Sequence, residues 1–146
     1  MAVVVGIAEV LKAASEQSTK ADRVAYLKAN SSPALKKILG YTYDPVIEWL
    51  LPETPPPYTP LAKEEDAQNV LISSVRKLNI FVNHNDYLNL SALKRETQFI
   101  QLLESVDPDD ARLLIAMKNR TMPSFASNIT KAVVVEAFPT ISKHWT

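Results

Sequence analysis

Four pairs of basic residues are the side chains of this sequence best suited to bind a ligand. Lysine and arginine bind phosphate oxygens, and several of them along one surface would follow a nucleic-acid backbone. Such pairs are also typical of solvent-facing helix surfaces, where nearby acidic residues balance them. Both interpretations stay open for each pair. The pairs are Lys36 with Lys37, Arg76 with Lys77, Lys94 with Arg95, and Lys118 with Arg120.

The other reactive residue types give no pattern that indicates an enzyme. Cysteine is absent, and the two histidines are far apart along the chain, so we expect no metal site. Asp107, Asp109 and Asp110 lack the glycine and the final glutamate of a calcium-binding loop, and they are better explained as a helix N-terminus. No nucleophile elbow, phosphate-binding loop or dinucleotide-binding turn occurs. We therefore predict a protein that is not an enzyme and has no small-molecule cofactor.

The charge balance argues against strong nonspecific binding to nucleic acid. The 146 residues include 16 basic and 16 acidic ones, for a formal net charge of zero. A nonspecific DNA-binding protein usually carries a basic excess, although one basic face paired with one acidic face remains compatible with neutrality. No basic stretch precedes the short apolar run near the N-terminus, and no apolar run approaches the ~20 residues that span a bilayer. We expect a cytoplasmic protein without membrane contact.

The pattern of apolar residues predicts an all-α fold. Only two glycines occur, helix-forming residues dominate, and alternating strand patterns are scarce. Thr19 is a predicted N-cap, and Ser31 or Ser32 is another, with Pro33 in the first turn that follows. Gly40 is placed where a glycine commonly ends a helix. The first three predicted helices cover about residues 4–14, the stretch after Thr19, and the stretch from Pro33 to Gly40.

A proline-rich link is predicted to divide the chain into two helical halves. Asp44-Pro45 begins a short helix or turn that ends near Leu51, and five prolines follow within residues 52–60. That segment is either a stiff connection or a docking motif for an aromatic-lined groove, and we favour the connection. Tyr41, Tyr43, Trp49 and Phe99 are expected to pack in the core. The second half should contain helices at about 61–82, 91–104, 107–118 and 129–137.

The order of these segments resembles the N-terminal helical DNA-binding domain of ATP-dependent DNA ligases from tailed phages. The resemblance covers nearly the whole chain, and its weight lies in the order and spacing of the pieces. These are Ile7-Ala8-Glu9-Val10-Leu11, Leu35-Lys36-Lys37-Ile38-Leu39, Tyr43-Asp44-Pro45-Val46-Ile47-Glu48-Trp49, the helix from Leu93 to Leu103, Ala111-Arg112-Leu113-Leu114, and Phe138-Pro139-Thr140-Ile141.

The resemblance implies binding to duplex DNA across the minor groove, chiefly through phosphates. The turn that starts the last helix in the family corresponds here to Ser127-Asn128-Ile129-Thr130. Near the final aromatic-Pro pair, family members often carry Asn-Lys where this chain has Val135-Glu136, and a glutamate beside a phosphate would repel it. The implied DNA-binding residues are Lys118, Arg120, Asn128, Thr130, Lys131, Lys36 and Lys37.

The sequence therefore predicts one all-α domain of six to eight helices over residues 1–146, with halves at 1–51 and 61–146. Neither Gly6 nor Gly40 belongs to a Lys-x-Asp-Gly nucleotidyl-transfer motif. The resemblance thus implies a free-standing, phage-type binding domain without the catalytic domain of a ligase. Its partner would be duplex DNA or a replication or repair protein such as a sliding clamp. The alternative is a protein–protein adaptor or inhibitor that kept the helices and lost DNA binding. The sequence leaves the oligomeric state open.

Overall fold

The computed structural model describes residues 6–52, 57–59, 75–143 and 145, and this part of the chain is helical. It contains six α-helices and three short 3-10 helices, and no β-strand. The α-helices are α1 (Ile7–Ser15), α2 (Lys20–Ala29), α3 (Pro33–Tyr43), α4 (Ala92–Ser105), α5 (Pro108–Lys118) and α6 (Lys131–Ala137). The 3-10 helices are Val75–Phe81, Asn85–Tyr87 and Ser124–Ala126. The all-α fold class is thus confirmed for the described residues.

Most helix starts are fixed by local side-chain caps that the sequence predicts. The Thr19 hydroxyl accepts from the Asp22 amide, and the Ser32 hydroxyl accepts from the Leu35 amide at 3.1 Å. At the start of α4 the Ser91 hydroxyl accepts from the Lys94 amide, and at the start of α5 the Asp107 carboxylate accepts from the Asp109 amide. Each cap satisfies one of the amides that a helix start leaves without a partner. These boundaries agree with the predicted ones because the signal is local.

The helices pack around one continuous hydrophobic cluster that includes residues from Ile7 to Trp145. Helix α2 packs on α1 and α6, and α5 packs on α1, α3 and α4. The Tyr43 hydroxyl donates to the Ile129 carbonyl at 2.6 Å, and the Lys36 ammonium lies 5.7 Å from the centre of the Phe138 ring. Because these contacts join opposite ends of α3 and α6, the two helices run antiparallel.

One predicted helix boundary is wrong, and one predicted α-helix is a 3-10 helix in the part that the structure describes. Gly40 does not end α3, which continues through it to Tyr43, and no glycine has a positive φ. A tertiary contact from Arg120 holds the end of this helix, so no glycine cap is required. The predicted long helix over 61–82 lies largely outside the described residues, and its last part is the 3-10 helix Val75–Phe81. In a 3-10 helix, residues three apart lie on one face, and Leu78 and Phe81 are both buried.

The segment after α3 is a turn followed by extended backbone. The Asp44 carboxylate accepts from the Val46 amide at 2.9 Å, which closes the turn as the sequence suggests. Residues 48–50 then pair with residues 81–83 through an isolated antiparallel bridge between Trp49 and Val82. The Leu50 amide donates to the Phe81 carbonyl at 2.8 Å, and the Asn83 amide donates to the Glu48 carbonyl at 2.9 Å. We call residues 44–52 the Trp49 segment.

The start of α1 is held by a distant residue. Gly6 is the N-cap and offers no side chain, and the Ala8 amide instead donates to the Asp110 carboxylate at 3.3 Å. Asp110 belongs to the first turn of α5 and is almost fully buried. Burial raises the pKa of this carboxyl from 3.8 to about 6, although the Ala8 amide acts in the opposite direction. A carboxyl group in the first turn of α5 therefore supplies the side-chain acceptor that Gly6 cannot give to α1.

Candidate functional site

A surface groove lies between the Trp49 segment and the C-terminal end of α5, with a volume of about 550 Å³. Its floor and one wall come from the Trp49 segment, and the other wall comes from the residues that end α5. Most of the side chains from the Trp49 segment are apolar. The lining residues are Pro45, Val46, Ile47, Glu48, Trp49, Leu51, Pro52, Lys118, Asn119 and Arg120.

Arg120 holds the Trp49 segment in place through main-chain oxygens. Its guanidinium donates to the carbonyl oxygens of Ile47 at 2.9 Å, of Tyr41 at 3.3 Å, and of Asp44. Burial lowers the pKa of this guanidinium from its ordinary value, and the nearby Asp44 charge raises it. Arg120 also has a φ of 63°, in the left-handed region that residues with a side chain seldom adopt. The hydrogen bonds of the guanidinium to the main-chain carbonyls therefore occur together with a strained backbone conformation at Arg120.

Lys118 is the second cation of the groove, and it is buried, with 7% of its surface exposed. Its ammonium donates to the Pro52 carbonyl at 2.8 Å and to the Asn119 side-chain oxygen at 3.1 Å. A buried charge is costly unless hydrogen bonds compensate it, and these bonds supply part of that compensation. Lys118 therefore anchors one end of the Trp49 segment, while Arg120 anchors its beginning and middle.

Trp49 is oriented by α3. Its indole N–H donates to the Tyr41 carbonyl at 2.8 Å, and its ring meets the Tyr41 ring edge-on at 6.2 Å between centroids. The Tyr41 hydroxyl in turn donates to the Asn79 side-chain oxygen. Trp49 is therefore fixed on the inner side of the groove. Val46 stands at the outer side with 66% of its surface exposed.

The groove lining carries the positive charges of Lys118 and Arg120 and the negative charge of Glu48. Within the described residues, no group of three or more histidine, cysteine, aspartate or glutamate side chains could hold a metal ion. Both groove cations have their charged groups bonded to main-chain oxygens, which suits the groove to a ligand bound by apolar contacts and main-chain hydrogen bonds.

The predicted DNA-binding residues fall into separate places. Lys118 and Arg120 meet in the groove, with their charged groups bonded to main-chain oxygens. Asn128 lies at the end of α1, where its amide side chain donates to the Ser15 carbonyl at 3.0 Å. Thr130 is the N-cap of α6 and accepts from the Val133 amide, and Lys131 follows it in an exposed position. Whether any of them binds DNA stays a prediction.

Lys36 and Lys37 lie on α3 and point to different aromatic rings. Lys36 is exposed and stands over Phe138, next to the end of α6. The Lys37 ammonium lies 5.5 Å from the centre of the Tyr41 ring. Because the Tyr41 carbonyl accepts from Arg120, Lys37 is the one of the two that lies near the groove.

Glu136, the residue expected to repel a phosphate, has a partner in the described structure. Its carboxylate lies 3.2 Å from the Lys20 ammonium, and both side chains are about half exposed. An exposed ion pair of this kind contributes roughly 0–1 kcal/mol. The charge of Glu136 is therefore locally balanced by α2.

The groove along the Trp49 segment is the feature that the sequence interpretation missed. Trp49 was assigned to the core, and Val46 was treated only as part of the helix or turn after Asp44-Pro45. A usable signal was present, because Pro45 and Pro52 limit any helix in this apolar segment to the few residues between them. That signal leaves room for extended backbone, but it does not indicate which other element will face it.

Within the described residues, these features define an all-α protein with a surface groove that combines apolar side chains with exposed polar groups. Comparison with protein families places the chain in a family of unknown function, DUF6433, whose model matches residues 10–124. The chain belongs to this family. No curated protein matches it. The matched region includes every residue of the groove, and it ends before Asn128, Thr130 and Lys131.

No helix in the described ranges combines the length and the apolar character that crossing a membrane would require.

Proposed function

We propose that this protein is a non-enzymatic binding protein that holds a segment of another protein in the groove beside Trp49. The observation that carries this proposal is the state of the two groove cations. Lys118 and Arg120 have their charged groups bonded to main-chain oxygens, so the groove offers a ligand the apolar side chains of the Trp49 segment together with main-chain polar groups. Grooves that combine apolar side chains with a few fixed polar groups are typical sites for protein segments.

The family match supports the same choice of site. The matched residues 10–124 contain the entire groove, whereas Asn128, Thr130 and Lys131 at the start of α6 lie beyond them. The rigidity of the groove supports it as well. Residues 44–52 are held by Arg120, Lys118 and the Val82 bridge, so a partner would meet a surface that is already ordered. A preorganised surface reduces the entropy lost on binding.

A selection of short random peptides displayed on a carrier tests the proposal. Peptides selected against the wild-type protein should lose binding to the Val46→Glu variant, because the new charge would lie at the apolar side of the groove. Leu93→Glu is the matched control, since Leu93 is 75% exposed and lies in the first turn of α4. Both substitutions are at exposed positions and should change stability by less than about 0.5 kcal/mol.

Peptides that bind the wild-type protein and the Leu93→Glu variant equally, but not the Val46→Glu variant, are the expected result. A selection that yields no binder, or binders indifferent to Val46→Glu, would contradict the proposal. The resemblance to phage ligase domains suggests which partners to examine next. A replication or repair protein such as a sliding clamp is the class that we would test first.

Duplex DNA is the second candidate ligand. The resemblance motivates it, and the exposure of Lys36 and Lys131 at opposite ends of α6 supports it. Binding to nicked and intact duplex at low and at moderate salt is the test. If these lysines contact phosphates, affinity should fall steeply with salt, and the slope should become shallower by about two when both become alanine. No binding at low salt would remove this candidate.

A further inference from the structure

The pairing of the Trp49 segment leaves one of its edges open. The two hydrogen bonds of the bridge run between Leu50 and Phe81 and between Asn83 and Glu48, on either side of the Trp49–Val82 pair. In antiparallel pairing this pattern makes Trp49 and Val82 a non-hydrogen-bonded pair. The N–H and C=O groups of Trp49 therefore point away from Val82. They point along the opposite edge of the extended segment.

This edge has free hydrogen-bonding groups and defined ends. Within the described part of the chain, the main-chain N–H and C=O groups of Trp49 and Leu51 have no hydrogen-bond partner. On one side, the Ile47 carbonyl is occupied by Arg120. On the other side, Pro52 has no N–H and its carbonyl accepts from Lys118. The N–H and C=O groups of Trp49 and Leu51 thus lie between two carbonyls that already accept hydrogen bonds, those of Ile47 and Pro52.

We propose that the partner binds as an extended strand that pairs with this open edge. The inference rests on the proposed function and specifies how the partner segment enters the groove. Main-chain pairing at Trp49 and Leu51 would involve about four residues of the partner, or roughly 13 Å of strand. Strand addition to an exposed edge is a common means of peptide recognition, in which main-chain bonds give affinity and alternate side chains give specificity.

Between its two ends, the open edge carries few of the features that protect an edge from pairing. Protected edges carry lysines, prolines or bulges; here Pro52 ends the edge, and Glu48 is the one charged residue between Ile47 and Pro52. The Lys118 and Arg120 charges at the two ends are bonded to main-chain oxygens. We therefore infer a partner strand that is uncharged, with an apolar side chain directed to the groove lined by Val46 and Leu51.

The test uses the peptides selected against the wild-type protein, resynthesised with a single N-methyl group at each position in turn. N-methylation removes one N–H donor and blocks pairing on that edge. In a paired strand only alternate residues direct their N–H toward the protein, so methylation at every second position should weaken binding at least about tenfold. Methylation at the intervening positions should have little effect. The Trp49 amide should exchange its hydrogen more slowly in the complex.

The outcomes separate this inference from the proposed function. Peptides that are sensitive to Val46→Glu but show no alternation on N-methylation, and that leave Trp49 exchange unchanged, would overturn strand pairing and retain the groove. A selection without any binder would overturn both. Peptides that alternate in sensitivity but bind Val46→Glu normally would support strand pairing at an edge other than this one, and so would also contradict the inference.

Discussion

The groove beside Trp49 and the exposed side of α6 show two different uses of basic side chains. In the groove, the Lys118 and Arg120 charges are directed inward and bonded to main-chain oxygens. At α6, Lys131 is exposed, and Glu136 faces solvent in an ion pair with Lys20. In the sequence both regions have basic residues close to a helix end, Lys118 and Arg120 in one and Lys131 in the other. The comparison shows that a basic residue near a helix end can belong to the scaffold or to the surface.

The largest expected effect tests whether Arg120 belongs to the scaffold. Arg120→Ala would remove hydrogen bonds to three carbonyl oxygens, of which the Tyr41 and Asp44 carbonyls keep one other donor each. It should lower the free energy of unfolding by about 3 kcal/mol, measured by urea denaturation. Lys131→Ala is the matched basic control and should change it by less than about 0.5 kcal/mol. Equal effects of the two substitutions would remove the distinction between the regions.

Arg120→Gly separates the lost bonds from the backbone strain. Glycine adopts a positive φ without penalty, whereas alanine does not. The glycine variant should therefore be more stable than the alanine variant by about 1 kcal/mol, although still less stable than the wild type. An alanine variant as stable as the glycine variant would indicate that the left-handed conformation at residue 120 is not retained.

Asp110 sharpens the comparison, because its buried carboxyl accepts one main-chain hydrogen bond within the described residues, from the Ala8 amide. Burial raises the pKa of its carboxyl to about 6, so the folded protein binds this proton more tightly than the unfolded chain. Its contribution to stability is fully present below about pH 4 and is lost as pH rises through about 6. Asp110→Asn keeps the acceptor oxygen and removes the charge. It should raise stability at pH 7 by about 1–3 kcal/mol.

Unfolding measured between pH 4 and pH 7 checks this prediction. The difference in stability between the wild type and the Asp110→Asn variant should grow over that range and reach its full value above about pH 6. Asp109→Asn is the control, because Asp109 is partly exposed in the same turn. A difference that is constant with pH would show that Asp110 does not titrate in this range.

A smaller effect is expected at Gly40, on the helix that Arg120 holds. Gly40 lies inside α3 without a positive φ, and an added Cβ would meet no atom within 4 Å. Gly40→Ala should therefore stabilise the protein by about 1 kcal/mol, seen as a higher urea midpoint. Destabilisation by alanine would mean that α3 ends near Gly40, as the sequence pattern suggested.

The smallest effect is expected at the exposed α6 ion pair. Glu136→Gln removes the partner of Lys20 and should lower stability by less than about 1 kcal/mol, with the loss decreasing at higher salt. In a double-mutant cycle with Lys20→Met, the coupling energy should be equally small. A coupling comparable to the effect of Arg120→Ala would mean that charges at α6 are as structural as those in the groove.

The sequence predicted those features of the fold that depend on neighbouring residues. The caps Thr19, Ser32, Ser91 and Asp107 were readable because each bonds to an amide two or three residues away. The turn at Asp44 was readable for the same reason. The end of α3 and the 3-10 geometry before Val82 could not be predicted from the sequence, since each depends on contacts with distant parts of the chain. The candidate site residues were predicted because they are basic or polar. The residue type does not show which atoms a long basic side chain will contact in the folded protein.

Composition and spacing alone determined that this protein is helical, neutral in net charge and free of cysteine chemistry, because these properties follow from residue types and local hydrogen bonds. The tertiary structure decided that Lys118 and Arg120 bind the Trp49 segment and that a groove forms between them and its apolar side chains. The physical reason is that a buried cation requires acceptor oxygens. Residues 41–52 supply those oxygens only after the fold has brought them to the end of α5.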